Sequence, residues 1–566
     1  MGNINKDNLL YMAKYSAFNP YRMREREMGY TTSIGSSDAL AKSLYCGMKA
    51  IATWDSDREK APPTGGIFNL EFSPEGTLLV AACEKKSIQI FDPLTHERIH
   101  AVNGAHTDCV NCVKFLDARM FATCSDDTTI ALWDVRNLKK KIRTLLGHSK
   151  WVKNIEFSVK DKLLVTSGLD GSIYTWDINS YTEYNLVYQR VFHTSSLMRC
   201  RLSPDARQMV LCTTGGLIVI IHDLNLATLA QDLHGFKPNL YRLMQMSHQM
   251  IPVAAMYDHL FDSKNRENRV EFVSDFPEGN DAEVVSALQV HPQGWSALSR
   301  NISHDDKSEW TCIHDIQPME SPCDKDTRDT SPVGRGRRTP SRRTRPRVYR
   351  VPRPMHPNPM ATTHIQITRE SERAAAGPST SHQGGAPISP PQPSRLGLPG
   401  IQNDVWEAAI TIKQHRLLQE MYNRGADVPS TSGYTPHQES PYTSDEEPAA
   451  KHFIRQNKNR LLYYIEETNE GKGFIKELCY SSDGRIVCSP FGRGMRLLAL
   501  NSDCGELSGV AQDLSQPRLM VELGQSLGIH TDLVVSSKFS PRYHMLVTGC
   551  LEGKIVWYQP FSGESL

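Results

Sequence analysis

An all-β ring of repeated four-stranded units is the fold this sequence predicts, and three observations predict it. The first is period. The segments AHTDCVNCVKFLDARMFATCSDDTTIALWD and GHSKWVKNIEFSVKDKLLVTSGLDGSIYTWD end at Trp133-Asp134 and Trp176-Asp177, 43 residues apart, and their leading histidines, His106 and His148, are 42 apart. A four-stranded propeller blade occupies about 40–45 residues. The second is number: five weaker copies end at Asp92, Asp223, Asp315, Leu500 and Pro560, which makes seven units. The third is internal pattern. Each unit runs as an alternating strand, a turn such as Ser73-Pro74-Glu75-Gly76, a second strand, a tight turn, and a third strand with an aromatic or apolar end. One such sheet leaves both faces bare, whereas stacking round an axis covers them. The expected architecture is a seven-bladed WD-repeat β-propeller with a helical N-terminal segment and a long disordered insertion.

The elements follow in order. Residues 1–49 read as a helical segment, with apolar Leu9, Leu10 and Phe18 ahead of a strongly charged stretch after Pro20. Residues near Gly47–Trp54 read as a strand that supplies the outer strand of the last blade and closes the ring. Blades 1–4 occupy 50–225, an inter-blade insertion 226–280, blade 5 281–317, a second insertion 318–459, and blades 6–7 460–566. The first insertion carries the Met-rich LYRLMQMSHQMIPVAAMYDHLF, which reads as packed on the propeller or as an adaptable binding surface. The second is dominated by Pro, Ser, Thr, Arg and Gly, a composition without a packed core. Its amphipathic stretch, with Trp406, Ile410, Leu417 and Met421 on one helical face, reads as a partner-docking motif or as a helix folded back on the ring. Its Ser-Pro and Thr-Pro pairs, Ser331-Pro332 and Thr339-Pro340 among them, read as phosphorylation sites.

The bulk chemistry narrows the function classes. Net charge is +1 and no run of 18 or more apolar residues occurs, so no membrane partner is expected. Thirteen cysteines, many inside apolar runs, read as buried thiols in a reducing compartment, cytoplasmic and/or nuclear. Cys109 and Cys112 form a CxxC pair without further ligands nearby, so no metal is expected, and no cofactor motif is present. His106, Ser125, Asp127 and Trp133, with His148, Asp170 and Trp176 in the next unit, resemble the hydrogen-bond network of WD repeats. In that unit Gly168 stands where a hydroxyl is expected. The His-Ser-Asp set looks like a catalytic triad in composition, but it recurs with the repeat, so a structural role is expected and no enzyme activity.

The second unit continues as Trp133-Asp134-Val135-Arg136. The run FLDARMFATCSDDTTIALWDVRNL, with GHSKWVKNIEF, LLVTSGLDG and the later YYIEETNEGKGFIKELCYSSDGR, resembles the cullin-4-associated factor family of WD-repeat ubiquitin-ligase substrate receptors. The resemblance covers most of the propeller and fades in both insertions and the first 45 residues. It implies binding to the large adaptor damage-specific DNA-binding protein 1, within a cullin-4 RING ligase whose chemistry resides in other subunits. It implies adaptor contact by Arg136, held by Asp134 and Trp133, and by N-terminal residues Leu9, Leu10, Phe18 and Met23. The protein substrates are unspecified. A rival reading is an RNA-associated scaffold. Nine arginines without an acidic residue lie between Gly334 and Pro354, a block that reads as non-specific RNA binding, a nuclear import signal or a solvated loop.

Overall fold

The structure is a computed structural model that describes residues 24, 27–29, 36–56, 61–179, 188–194, 197–213, 216–277, 284–301, 309–318, 454–467, 476–510 and 516–561. Among these the strands form seven sheets, each built from four antiparallel strands, a to d, and they are the seven blades expected. Blade 1, for example, is Ile67–Phe72, Leu79–Cys83, Ile88–Phe91 and Arg98–Val102. In blade 5 a short strand, Arg518–Leu519, adds in parallel to the outer edge.

The turns led by Ser73-Pro74, Ser203-Pro204 and Ser481-Ser482 have a common cause. Ser73, Ser203 and Ser481 each accept, through the side-chain oxygen, the backbone N–H that opens the second strand, at 3.0, 2.9 and 3.2 Å. The residue three positions after each serine returns its N–H to the serine carbonyl with φ of +69° at Gly76, +54° at Ala206 and +71° at Gly484. A left-handed residue at that point turns the chain tightly enough to pair the two strands.

The apolar core lies between blades. Trp54, Ile67, Leu70, Phe91 and Trp557 form one cluster joining blade 7 to blade 1, with Trp54 and Phe91 edge to face at 5.0 Å. The ring closes as expected. Met48–Trp54 pairs antiparallel with Ile555–Pro560, so the strand from the chain's beginning is the outer strand of blade 7, and it starts two residues before the expected boundary at 50.

Both insertions differ in placement from the sequence expectation. The segment 226–280 is not between blades. Arg269–Val273 pairs with Ile218–His222 and is the outer strand of blade 4, so the insertion sits inside that blade. Its helical turns, including Pro238–Ser247, bury Leu229, Leu233, Phe236, Leu240, Tyr241 and Met244 in the core of blades 3 and 4, with Tyr241 stacked on Phe261 at 3.8 Å. Packing, the first of the two readings, describes most of this segment, while Met246 and Met256 remain exposed.

The second insertion likewise interrupts blade 5, between Glu309–Asp315 and Leu461–Glu467. Its expected end at 459 moves back: Ile454 packs on the blade 4 core, and Arg455 pairs with Asp258 at 3.1 Å and Asp262 at 3.2 Å. The arginine block, the amphipathic stretch with Trp406 and the Ser-Pro and Thr-Pro pairs lie outside the described residues, as do Leu9, Leu10, Phe18 and Met23.

Candidate functional site

Antiparallel a-b-c-d sheets put the a–b and c–d turns of every blade on one face of the ring, and the b–c turns and blade-to-blade links on the other. Arg136 lies on the first face, in the turn after strand Thr129–Asp134 of blade 2. The turn is built by Asp134, whose carboxylate accepts the Arg136 backbone N–H at 2.9 Å and its Nε and Nη2 at 3.3 and 3.1 Å. The Arg136 side chain is 66% exposed and that of Asp134 26%, so the fork is presented to solvent while being held at its base. That pairing lowers the Asp134 carboxyl below its ordinary value.

The same Asx turn recurs, with Asp92, Asp177 and Asp315 accepting the N–H two residues on, from Leu94, Asn179 and Gln317. Of these four turns only that of blade 2 carries a cation at the presented position. Trp133 is 2% exposed and donates Nε1–H to Thr123, so its part is to fix the strand beneath the turn and not to touch a partner.

Helix Ser36–Cys46 precedes the strand whose first residue, Met48, pairs with Pro560 at the end of the c strand of blade 7. This helix therefore lies on the Arg136 face. It is latched there: Tyr45 Oη donates to Asp483 at 2.7 Å, and Arg485 bonds Asp38 and, at 2.8 Å, Glu506. Ala41 and Tyr45 enter the apolar cluster of blades 6 and 7.

The expected WD network is present with one correction. His106 Nδ1 meets Asp127 at 2.9 Å, but Nε2 meets Thr123 at 2.8 Å, and Thr123 also accepts Trp133 Nε1–H at 2.9 Å. Ser125 lies two residues further along, at the strand end, and accepts the Asp127 N–H at 3.1 Å. In blade 3 His148 bonds Asp170 at 3.0 Å and Thr166 at 2.8 Å, and Trp176 donates to Thr166 at 2.8 Å. The hydroxyl is thus Thr166, not the position of Gly168, where a Cβ would come within 2.9 Å of His148 Nδ1. In blade 7 only the histidine–threonine bond recurs, from His530 Nε2 to Thr548 at 2.7 Å. The signal for these threonines was available: each of Thr123 and Thr166 precedes its tryptophan by ten residues. Ser125 makes no bond to His106, and the hydroxyl that does, that of Thr123, is fully buried and also accepts the Trp133 indole N–H, so these residues present no accessible nucleophile–base pair.

Burial alone would raise the Asp127 and Asp170 carboxyls, but hydrogen bonds from His106 and Thr107 to the first, and from His148 and Ser149 to the second, hold them below the ordinary value. A depressed folded-state value contributes stability that is complete above the unfolded carboxylate value of about 3.9 and is lost as pH falls toward the folded one. The melting temperature is therefore expected to drop below about pH 4, and Asp127→Asn to flatten that acid limb. Superimposable acid limbs for the two proteins would remove Asp127 from the explanation.

The central channel carries a second set of residues that the sequence reading did not reach. Corresponding positions on the a strands place Glu71, Lys114, Glu156, Arg201 and Lys538 next to one another round the axis. Lys114 meets Glu156 at 3.1 Å, Arg201 meets Glu156 at 2.7 Å and Glu477 at 2.9 Å, and Lys538 meets Glu71 at 2.5 Å across the closure of the ring. Burial disfavours the charged forms of Glu156 and Glu477, yet the neighbouring cations hold both carboxyls below their ordinary values. The signal lay in the alternating sign of LEF, VKF, IEF and CRL at the ends of successive a strands.

The profile described as "WD domain, G-beta repeat" matches residues 59–92, 98–134 and 139–177. The chain is 32% identical over 535 residues to "DDB1- and CUL4-associated factor 10" of Danio rerio, an alignment covering 91% of this chain and 78% of that protein. It is 31% identical over 564 residues to the protein of the same name from Homo sapiens, covering 95% and 77%. A shorter likeness, 28% over 201 residues and 31% of each chain, links it to "WD repeat-containing protein 70" of Xenopus tropicalis. On its seven blades, its WD networks and an identity that runs the length of the ring, the chain belongs to the family of DDB1- and CUL4-associated factor 10 proteins.

Proposed function

We propose that this chain is a substrate receptor of a cullin-4 RING E3 ubiquitin ligase, a non-catalytic subunit that binds damage-specific DNA-binding protein 1 and presents protein substrates for ubiquitination. The observation that carries the reading is the placement of Arg136. Its guanidinium is exposed, its base is fixed by Asp134, and it stands on the face where helix Ser36–Cys46 is latched, so the N-terminal segment enters the ring beside the same surface. A guanidinium fixed in this way makes directed hydrogen bonds that a lysine does not reproduce. The relatives' own names associate those proteins with DDB1 and CUL4. The described cysteines are all free thiols, in keeping with a reducing cytoplasmic and/or nuclear setting.

The test is affinity capture of tagged wild-type and Arg136→Ala proteins from cells, with adaptor and cullin quantified. Recovery is expected to fall by about tenfold or more in the variant, as for an interface hot spot. Equal recovery would keep the receptor and shift the main contact to the N-terminal segment. Absence of adaptor from the wild-type capture would end the reading, leaving the RNA-scaffold alternative, whose arginine block is tested by RNA crosslinking with and without residues 334–354.

A further inference from the structure

The Arg136 face is electrically uneven, and the unevenness is concentrated where Arg136 stands. The a–b and c–d turns of blade 2 and the a–b turn of blade 3 present Arg119, Arg136, Lys139, Lys140, Lys160 and Lys162, all exposed. These turns are neighbours: the Val135 N–H donates to the Arg119 carbonyl at 2.8 Å, and Leu116 of blade 2 packs in one apolar cluster with Phe157 and Ile178 of blade 3. The carboxylates of the same turns are engaged locally. Asp117 accepts the N–H groups of Arg119 and Met120, Asp134 holds Arg136, and Asp161 accepts the Ser158 hydroxyl. Lys139, Lys140 and Lys162 form no ion pair with the described residues.

Elsewhere on this face the signs are mixed. Exposed Glu75 and Glu97 stand on the turns of blade 1 and exposed Asp503 near those of blade 6, with exposed Arg542 on the a–b turn of blade 7 between them. Two exposed apolar side chains, Leu94 of blade 1 and Val159 of blade 3, lie on the same set of turns.

We infer that the cationic turns of blades 2 and 3 are a docking surface for an acidic patch on the adaptor, with Arg136 as its fixed contact and the surrounding lysines as the steering charge. The inference rests on the receptor reading above and adds the chemistry of the partner surface. Exposed cations of this kind act at a distance. They raise the rate of encounter with an anionic surface and orient it, and salt screens their effect over about 8–10 Å. The guanidinium held by Asp134 acts at contact and governs dissociation. The exposed carboxylates Glu75 and Glu97 on the neighbouring blade 1 turns disfavour an approach that lays the acidic patch over blade 1 instead.

The experiment uses the purified full chain and purified adaptor in a surface-binding kinetic assay, over a series of salt concentrations. Wild type is expected to associate more slowly as salt rises. A Lys139→Glu/Lys140→Glu/Lys162→Glu variant is expected to associate about tenfold to a hundredfold more slowly at low salt, with a flattened salt dependence and a dissociation rate near wild type. Lys160, which donates to the Leu224 carbonyl at 3.2 Å, is left in place. Arg136→Ala is expected to change dissociation instead. Unchanged melting temperature of the lysine variant shows that it is folded, since all three positions are exposed. Binding of wild type with no salt dependence, or equal association by the variant, overturns the inference and leaves the receptor reading standing. No binding by wild type overturns both. A parallel titration uses labelled single-stranded polyuridine: loss of RNA binding by the variant, with adaptor association intact, assigns the lysines to nucleic acid and overturns the inference.

Discussion

Replacing Arg460 by Ala is expected to lower the propeller's stability by about 3–5 kcal/mol, the cost of breaking a buried ion pair from one side. Arg460 is 1% exposed and every arm of it is used. Nε and Nη2 bond the two oxygens of Glu271 at 2.7 and 2.6 Å, and Nη1 bonds the carbonyls of Asp315 and Gln317 at 2.7 and 3.1 Å. Its backbone N–H and that of Leu461 go to the Asp275 carboxylate. One side chain therefore ties the outer strand of blade 4 to both ends of the insertion that interrupts blade 5.

Without it Glu271, a carboxyl that burial would raise and that His222 and Arg460 now hold below its ordinary value, keeps its contacts with His222 and Arg269 but loses its two shortest bonds. Urea unfolding of wild type, Arg460→Ala and Arg460→Lys checks this. The expected order of midpoints is wild type, Lys, Ala, because an ammonium reaches one carboxylate oxygen without reproducing the fork. Coincident midpoints would show that the clamp adds nothing to the ring.

The second large effect is expected in the channel. Arg201→Met should cost about 3 kcal/mol, the lower end of the range for a broken buried pair. The reason for the lower end is the alternation. Glu156 keeps Lys114, and Glu477 keeps Arg199, so neither carboxylate is left wholly unpaired, although the Leu288 carbonyl loses the Nε–H it accepts at 3.0 Å. The double variant Arg201→Met/Glu156→Gln is expected to lose less than the sum of the single variants, since both act through one bond of 2.7 Å. Strict additivity in urea unfolding would mean that the two side chains do not sense each other, contrary to the geometry.

Much of the fold was legible before any coordinates. The 43-residue spacing of Trp133 and Trp176, the turns led by Ser73 and Ser203, and the strand near Trp54 each report a local preference that the structure keeps. That Arg136 follows a strand end was legible from Trp133 and Asp134, whereas its proposed role came from the family resemblance of the run they belong to.

The misplacements share a cause. Arg269–Val273 and Leu461–Glu467 are outer strands whose partners lie beyond an insertion, and nothing in five or seven residues says which open edge they will fill. Thr123 in place of Ser125, and Thr166 in place of Gly168, were decided by cross-strand register, which sets how far an indole or imidazole reaches.

What the sequence by itself determined is the blade: its length, its turns and the side each residue faces, because those follow from backbone preferences and from burying alternate side chains. What the tertiary structure decided is everything between blades. The alternating charges of Glu71, Lys114, Glu156 and Arg201 and the clamp at Arg460 have meaning only across contacts. So do the latch on helix Ser36–Cys46 and the clustering of lysines beside Arg136. Such groups are distant in the chain, and only the closing of the ring makes them neighbours.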